Sequence, residues 1–277
     1  MARQNSSRKR GQRGFMSRCL QCFHKPGCLI AFILAVAVYA YLCWTFLVAP
    51  YNVRWQARYG KVELPAGYSI HGIDISHHQG DIDWEELSKA TLGDAPITFV
   101  LMKGTEGQSL LDDCFNDNFY QASQWRYIRG VYHFYVPTAG TARKQAKWYL
   151  KQVHLGDDDL PPILDVEKVG SLTKAQVRSE VKAWLDECEK AYGLPPIIYT
   201  YYKFKEQYLD GPEFDRYPYW IAHYYVKQVG YKGEWKFWQH TDCGRVRGIR
   251  GDVDLNVYNG SMYDLKKLCI NYEESDD

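Results

Sequence analysis

Two carboxylates, Asp165 and Glu167, end an apolar run that begins at Leu160-Pro161-Pro162. Proline can open a strand but cannot donate a hydrogen bond within one, so this run predicts a short buried strand. Side chains two residues apart on a strand share a face, at about 6.6 Å along the backbone. Two neighbouring carboxyls at the edge of a dry core disfavour double ionisation, so one of them keeps its proton. The pair therefore has the chemistry of a general acid beside a carboxylate.

The same two positions also fit an ordinary loop edge, where acids are usually solvated. Other strand ends distinguish the two interpretations. Asp74 and Asp254 also sit at the ends of strand-like runs, and polar or aromatic residues collect at the remaining ends. Because so many polar strand ends occur together, a catalytic groove is favoured over a series of coincidences. The residues that we expect to contact a ligand in this groove are Tyr132, Tyr199, Trp220, Trp238 and Gln239.

Eight short runs have strand character, and their spacing predicts how they are connected. The first five begin roughly 30 residues apart, as a strand, a crossover helix and the next parallel strand require. The last three follow too closely for a full crossover helix. The runs are 69–76, 98–103, 130–135, 161–167, 197–202, 219–224, 235–240 and 252–258.

Helices fit the long gaps between these runs. Amphipathic segments cover 113–127 and 141–153, and Thr173 with Gln176 forms a capping box for a long helix that ends at Gly193. The pattern predicts five βα units followed by three strands, closed as an irregular TIM-like barrel over residues 69–271. An open doubly wound sheet is the alternative. In a barrel of this type the site lies at the C-terminal ends of the strands, where the acids collect.

The balance of charge differs sharply along the chain of 277 residues. The whole chain sums to +1, whereas residues 1–27 carry seven basic side chains and no acid, so the remainder sums to −6. A mildly acidic globular part argues against nucleic acid as a partner. No metal site or cofactor is predicted, because His77 and His78 are adjacent and would face opposite sides of a strand. No phosphate-binding glycine-rich loop is visible either.

Residues 28–49 contain no charged side chain and are long enough to span a bilayer. The basic excess precedes them, so the positive-inside rule predicts a single-pass signal anchor with a cytoplasmic tail (1–27) and an exported domain, periplasmic or extracellular. A cleaved signal peptide is the alternative, but Pro50 gives a poor cleavage context. We expect a stalk over 50–68 and an acidic tail over 272–277.

The eight cysteines divide along the same line. Three lie before or at the edge of the predicted span and one within it, where reduced or lipidated thiols are expected. The four exported cysteines permit three disulfide pairings, among which the sequence does not choose. These four are Cys114, Cys188, Cys243 and Cys269.

Over about residues 70–262 the chain resembles the glycoside hydrolase family 25 lysozymes, which are N-acetylmuramidases of bacteria and phages. Its motifs are specific in combination, and no single one would suffice. They are Gly72-Ile73-Asp74-Ile75-Ser76 with Gln79-Gly80, Lys103 with Thr105-Glu106-Gly107, Gly130-Val131-Tyr132-His133-Phe134, Leu164-Asp165-Val166-Glu167, Ile198-Tyr199-Thr200, Trp220-Ile221-Ala222-His223-Tyr224, Trp238-Gln239 and Val253-Asp254-Leu255-Asn256.

The resemblance implies a (β/α)5(β)3 barrel and hydrolysis of the β-1,4 bond between N-acetylmuramic acid and N-acetylglucosamine in peptidoglycan. Glu167 matches the general acid of the family, with Asp165 beside it, and Asp74 and Asp254 match the other acids of the groove. Gly104 departs from the usual Ala and His240 from the common Tyr, which would alter detail in the subsites. The membrane anchor is atypical of secreted and phage members.

The expected mechanism uses Glu167 as proton donor, with its pKa raised by burial and by the other acids. The N-acetyl group of the substrate offers an internal nucleophile, which Asp165 would orient and Tyr199 would support. Retention or inversion stays open at this point, since it depends on carboxyl separation. Two alternative functions remain: an enzyme acting on a chitin-like polymer of N-acetylhexosamine, and a membrane-tethered glycan-binding module without turnover.

Overall fold

A computed structural model describes residues 26–48, 62–231 and 233–271. The chain divides into two compact units, Met1–Gln56 and Ala57–Asp277. The predicted basic tail up to residue 25, the stalk up to residue 61 and the acidic tail 272–277 lie outside the described residues.

In the described residues of the first unit, helix α1 (Pro26–Cys43) continues as a π-helical turn over Trp44–Val48. The segment Leu29–Leu47 has a mean hydropathy of 2.2, and no part of it is buried by the protein. By length and composition, this helix is able to cross a membrane.

The part of the second unit that the structure describes has ten strands, of which eight form the barrel and two, β2 and β4, are short additions to β3. Each of the eight predicted runs contains or overlaps one barrel strand. The bounds are β1 His71–Ile75, β2 Thr91–Leu92, β3 Ala95–Glu106, β4 Leu110–Leu111, β5 Ile128–Phe134, β6 Ile163–Asp165, β7 Ile197–Tyr201, β8 Tyr219–Ala222, β9 Phe237–Gly244 and β10 Val253–Tyr258.

The barrel closes through its first and last strands. Neighbouring strands run parallel from β1 through β3, β5, β6, β7 and β8 to β9. β10 is antiparallel to both β9 and β1, and it places Asp254 directly opposite Asp74. The predicted (β/α)5(β)3 arrangement is therefore confirmed, and the open doubly wound sheet is wrong.

Helices follow the first five barrel strands, as the spacing predicted. The longest helix has the predicted caps: Thr173 and Gln176 form a capping box, and Gly193 ends the helix in the left-handed conformation at φ 72°. The remaining bounds are α2 Trp84–Ser88, α3 Phe115–Gln124, α4 Ala142–Gln152, α5 Lys174–Tyr192, α6 Tyr202–Tyr208 and α7 Met262–Lys267.

Alternate residues of each barrel strand face either the barrel interior or the surrounding helices and loops. The interior below the site is filled by a small apolar cluster that includes Phe99, Leu101, Ile163, Ile197 and Phe237. A larger cluster fills the space outside the strands. The apolar floor closes the lower end of the barrel, so polar groups on the interior face are confined to the C-terminal ends of the strands.

Part of the predicted stalk belongs to the barrel. Val62, Leu64 and Tyr68 pack against the outer core. The Tyr68 ring lies 5.8 Å from that of Trp235 and 5.9 Å from that of Trp238, centroid to centroid. The folded domain thus begins at or before residue 62, earlier than the hydropathy pattern indicates.

The four cysteines of the barrel are free thiols in the structure. Cys188, Cys243 and Cys269 are buried, and Cys114 is half-buried. Burial raises the pKa of the Cys269 thiol to about 12, so this side chain is uncharged at neutral pH.

Candidate active site

Four carboxyl side chains meet at the C-terminal end of the barrel. Asp74 lies near the end of β1, opposite Asp254 on β10. Asp165 is the last residue of β6, and Glu167 follows it by two positions. Asp74 and Asp165 are buried, whereas Asp254 and Glu167 are partly exposed. The structure therefore brings together all four of the acids that the sequence singled out.

Gln239 on β9 joins Asp74 and Asp254. Its side-chain Nε2 donates to both carboxylate oxygens of Asp74, at 2.8 and 3.0 Å, and to Oδ2 of Asp254 at 2.9 Å. Asn256 Nδ2 donates to Asp74 Oδ1 at 2.7 Å. Asn256 is itself held by the Trp220 indole, whose Nε1 donates to its Oδ1 at 2.8 Å. Three amide contacts at 2.7–3.0 Å therefore fix the orientation of the Asp74 carboxylate.

The environment separates the ionisation of Asp74 from that of Asp254. Burial raises the pKa of Asp74 to about 6, and the amide donors of Asn256 and Gln239 limit that rise by stabilising the charged form. Burial and the nearby charge of Asp74 raise the pKa of Asp254 to about 9. At neutral pH, Asp74 is thus mostly ionised and Asp254 keeps its proton.

The Asp165 and Glu167 carboxyls have far fewer protein donors. Burial raises the pKa of Asp165 well above its ordinary value, with further contributions from Glu167 and Asp74. Burial also raises the pKa of Glu167, an effect opposed by Asp165 and by the ammonium group of Lys168. Asp165 Oδ1 is buried and has no hydrogen-bond partner among the described residues. Burial therefore favours a proton on this pair, more strongly on Asp165 than on Glu167.

Tyrosine hydroxyls complete the network on the far side of Gln239. Tyr199 and Tyr224 each donate to Gln239 Oε1 at 2.7 Å. Burial raises the pKa of both hydroxyls far above the ordinary tyrosine value, so both remain protonated donors. Because both ends of the Gln239 amide are engaged, this side chain holds the carboxylates in place, and the prediction that it contacts substrate is not supported by its geometry.

The aromatic side chains predicted to contact substrate differ in position. The ring of Tyr132 is half-buried and packs edge-on against Trp220, with 6.0 Å between centroids. Trp220 is only 1% exposed and packs against the ring of Tyr199, at a centroid distance of 4.3 Å. Of the five predicted contact residues, Tyr132 alone is half-buried and the other four are buried, and Trp220 is a supporting residue.

Trp238 does not line the groove, so its geometry does not support the prediction that it binds substrate. It precedes Gln239 on β9 and so faces the opposite side of the strand. Its side chain is fully buried, and its Nε1 donates to the carbonyl oxygen of His223 at 2.8 Å. His240 also lies in the outer layer, where its ring meets Trp238 edge-on. The departure from the family pattern at His240 therefore leaves the groove unchanged.

The other departure, Gly104, has a steric explanation. A Cβ atom at this position would lie 2.5 Å from Cγ1 of Val131 and 3.1 Å from Cγ2 of Val153. The outer layer is therefore packed too closely here for alanine without a shift of Val131. This difference also leaves the groove unchanged.

Sequence reasoning missed three side chains of the site. Asn256 is two residues from Asp254 and so shares its face, a signal that was available in the motif. Tyr224 lies beyond the end of β8, where alternation no longer applies. Tyr201, at the end of β7, is exposed, and the charge of Glu167 raises the pKa of its hydroxyl in addition to the effect of burial. Tyr201 therefore extends the aromatic rim beyond Tyr199.

A closed α/β barrel with paired carboxyls at the C-terminal ends of its strands is an arrangement found in glycoside hydrolases. The sequence profile described as "Glycosyl hydrolases family 25" matches residues 73–249. The chain therefore belongs to glycosyl hydrolase family 25.

Known proteins agree with this assignment. The protein YegX of Escherichia coli (strain K12) is 39% identical over 215 residues, covering 77% of this chain and 78% of its own length. Lysozyme M1 of Streptomyces globisporus is 31% identical, covering 73% and 72%. The crystal structure of the bacterial lysozyme from Streptomyces coelicolor superposes with a TM-score of 0.66 and 31% identity, covering 75% of this chain and 100% of that one.

Proposed function

We propose that the chain is a muramidase that hydrolyses the β-1,4 bond between N-acetylmuramic acid and N-acetylglucosamine in peptidoglycan. The observation that carries this proposal is the meeting of Asp74, Asp165, Glu167 and Asp254 at one end of a family 25 barrel. The similar proteins named lysozyme support the choice of substrate. No cofactor is needed, because carboxyl groups alone supply the acid and the negative charge for this reaction.

Glu167 is the proton donor in this proposal. It is partly exposed, whereas Asp165 lies deeper, so Glu167 is the member of the pair that a glycosidic oxygen reaches first. Its raised pKa keeps a fraction of it protonated at a pH where an ordinary glutamate is fully ionised. Bond cleavage then transfers that proton to the leaving oxygen as positive charge develops on the sugar.

Asp165 orients the N-acetyl group of the substrate. Its buried Oδ1 lacks a hydrogen-bond partner among the described residues, and an N-acetyl N–H is the kind of donor that it lacks. A donor placed there stabilises ionised Asp165, and the shared proton moves to Glu167. Substrate binding thereby produces the protonation state that cleavage needs, and the acetamido oxygen is directed at the anomeric carbon.

Asp74 supplies the fixed negative charge for the oxocarbenium-like centre. The amides of Gln239 and Asn256 keep it ionised and in one orientation before substrate arrives, so no reorganisation is required during the reaction. Protonated Asp254 limits the total negative charge in the groove. Tyr132 and Tyr201 are the candidates for packing against the sugar rings.

We also propose that α1 is an uncleaved signal anchor and that the barrel acts outside the cytoplasm. The apolar segment Leu29–Leu47 supports the anchor, and the basic residues before it support a cytoplasmic N-terminus. Cysteines engineered before and after this segment, labelled with a membrane-impermeant thiol reagent, test the orientation. We expect a cysteine placed before the segment to be labelled only from the cytoplasmic side.

Analysis of the new reducing ends tests the reaction. The full chain in detergent micelles is incubated with purified peptidoglycan, and the products are reduced and analysed by mass spectrometry, with Glu167→Gln as control. A muramidase yields reduced N-acetylmuramic acid, and the control yields none. Reduced N-acetylglucosamine with parallel cleavage of chitin oligomers would favour the chitin-like alternative. Peptidoglycan binding without new ends would favour a binding module.

A further inference from the structure

Two lysine side chains share one aromatic ring at the mouth of the groove. Lys103 Nζ lies 5.3 Å from the centroid of Phe134, and Lys168 Nζ lies 5.1 Å from the same centroid. Phe134 is the last residue of β5 and pairs with Asp165 on β6. Both ammonium groups are therefore held beside the Asp165 and Glu167 pair.

The two lysines differ in what neutralises them. Lys103 forms an ion pair with Glu106, with 2.5 Å between Nζ and Oε2, and its side chain is only 11% exposed. Lys168 is exposed, and no carboxylate of the described residues lies within ion-pair distance of its ammonium group. Lys168 thus has no ion-pair partner among the described residues, although its charge favours the ionised form of the adjacent Glu167, the proposed proton donor.

The segment after Lys168 is held against the neighbouring loop. Gly170 adopts the left-handed region at φ 54°, and a Cβ atom there would lie 2.9 Å from the carbonyl oxygen of Pro137. This close approach joins the loop after β6 to the loop after β5. The backbone that carries Lys168 is therefore fixed beside Phe134, and the cation has a defined place at the mouth.

Charge explains what such a cation would do. The groove contains four carboxyl groups, of which Asp74 is mostly ionised at neutral pH. A substrate that carries carboxylates of its own is repelled by this end of the barrel unless a cation lies in its path. Peptidoglycan is such a polymer, whereas chitin is neutral.

We infer that Lys168, seated on Phe134, binds a carboxylate of the substrate next to the bond that is cleaved. This inference rests on the muramidase function proposed above and identifies a determinant of its preference for an acidic glycan. The carboxylate has two sources with the same chemistry: the lactyl group of a muramic acid without a peptide, or the peptide stem attached to that group.

Three substrates and two variants test this inference in the full chain. The substrates are peptidoglycan glycan freed of stems, the same glycan with its lactyl carboxyls converted to neutral methylamides, and glycan that retains its stems. Lys168→Gln removes the charge. Lys151→Gln is the matched control, because Lys151 also lies over an aromatic ring, at 5.9 Å from the Trp148 centroid, but on the outer helix α4. Reducing-end release gives kcat and KM for each combination.

We expect wild-type protein to prefer the free carboxylate over the methylamide. Lys168→Gln should raise KM for the carboxylate substrate about two- to fivefold, as for an exposed charge pair, and abolish that preference. Lys151→Gln should keep it. A loss confined to the stem-free glycan identifies the lactyl group as the source, and a loss confined to stem-bearing glycan identifies the stem.

Two outcomes would overturn the inference while leaving the proposed function intact. One is Lys168→Gln with wild-type KM on all substrates. The other is an equal loss on charged and neutral glycans with a shifted pH profile, which would mean that Lys168 acts only through Glu167. If wild-type protein releases no reducing ends, the proposed function fails. In that case, binding decides whether Lys168 recognises the carboxylate. The affinities of the single variant Glu167→Gln and of the double variant with Lys168→Gln are compared on the free and the amidated glycan.

Discussion

The two carboxyl pairs of the groove differ in how the protein surrounds them. Asp74 and Asp254 face each other across β1 and β10, and amide groups from Gln239 and Asn256 fill the space around them. Asp165 and Glu167 lie on one strand end, and an Asp165 oxygen is buried without a hydrogen-bond partner among the described residues. The first pair is a fixed charge, and the second is left open for the substrate.

This difference shows how one cluster of acids is given two functions. Hydrogen-bond donors around a carboxylate lower its pKa and fix its position, which suits electrostatic stabilisation. Burial without donors raises the pKa and leaves hydrogen-bonding capacity unused, which suits proton transfer and substrate recognition. The protein thus assigns chemistry through the neighbours of each acid, since the acids themselves are nearly identical.

The largest effect is expected from Glu167→Gln. The amide retains the size of the side chain but has no proton to transfer, so kcat should fall by about a thousandfold or more. The melting temperature should stay close to that of wild type, because Glu167 is partly exposed. A reducing-end assay and differential scanning calorimetry measure the two quantities. If Glu167→Gln turned over near the wild-type rate, the Asp165 and Glu167 pair would not be the proton-transferring pair.

Asp165→Asn should reduce kcat about a hundredfold, through loss of the group that orients the N-acetyl substituent. The variant also removes the partner that shares a proton with Glu167. If Asp165 acts through the N-acetyl group, the variant loses less on a substrate whose muramic acid nitrogens are not acetylated than on the acetylated one. Equal losses on both substrates would contradict this role.

Asp74→Asn should reduce kcat about tenfold and also destabilise the fold by about 1–3 kcal/mol, since its new amide would face the donors of Gln239 and Asn256. Urea unfolding measures the second quantity. The matched change at the open pair, Asp165→Asn, should not destabilise the protein, because no donor contacts the unpartnered oxygen of that carboxyl. Equal destabilisation by both variants would show that the protein contacts both carboxyl pairs to the same extent.

The smallest loss of activity, below about tenfold, is expected from Asp254→Asn, because an amide replaces the protonated acid with similar shape and donor capacity. Folding raises the pKa of Asp254 from 3.8 to about 9, so the folded state holds an extra proton over that range and loses stability as pH rises. The variant lacks this loss. Its melting temperature should therefore exceed that of wild type increasingly from pH 5 to pH 9, and a constant difference would contradict the raised pKa.

The barrel and the four acids could be predicted because their signals are local. Strand spacing, helix caps such as Thr173 and Gly193, and carboxyls at strand ends are all visible within short windows of sequence. Trp238 was predicted to line the groove because adjacent residues of one strand were both assigned to it, although only Gln239 has the parity of an inward-facing residue. Tyr68 was assigned to a stalk because its contacts with Trp235 and Trp238 join distant parts of the chain.

The state of each acid could not be predicted from the pattern, because it depends on burial and on neighbours brought together by the fold. Sequence spacing alone does not indicate which of Asp165 and Glu167 holds the proton. The structure separates them by depth, and it separates Asp74 from Asp254 by the donors that Gln239 and Asn256 supply. Proton positions are therefore a property of the assembled barrel.

The pairing of the first barrel strand with the last determines when this protein becomes active during its synthesis. Asp74 meets Asp254 only when β10 has inserted between β9 and β1, and this contact spans most of the domain. Contacts of such long sequence separation form slowly and late in folding. A nascent chain that lacks its final strand therefore has every helix up to α6 available but no assembled carboxyl cluster. The complete carboxyl cluster can therefore form only after the last strand has been synthesised.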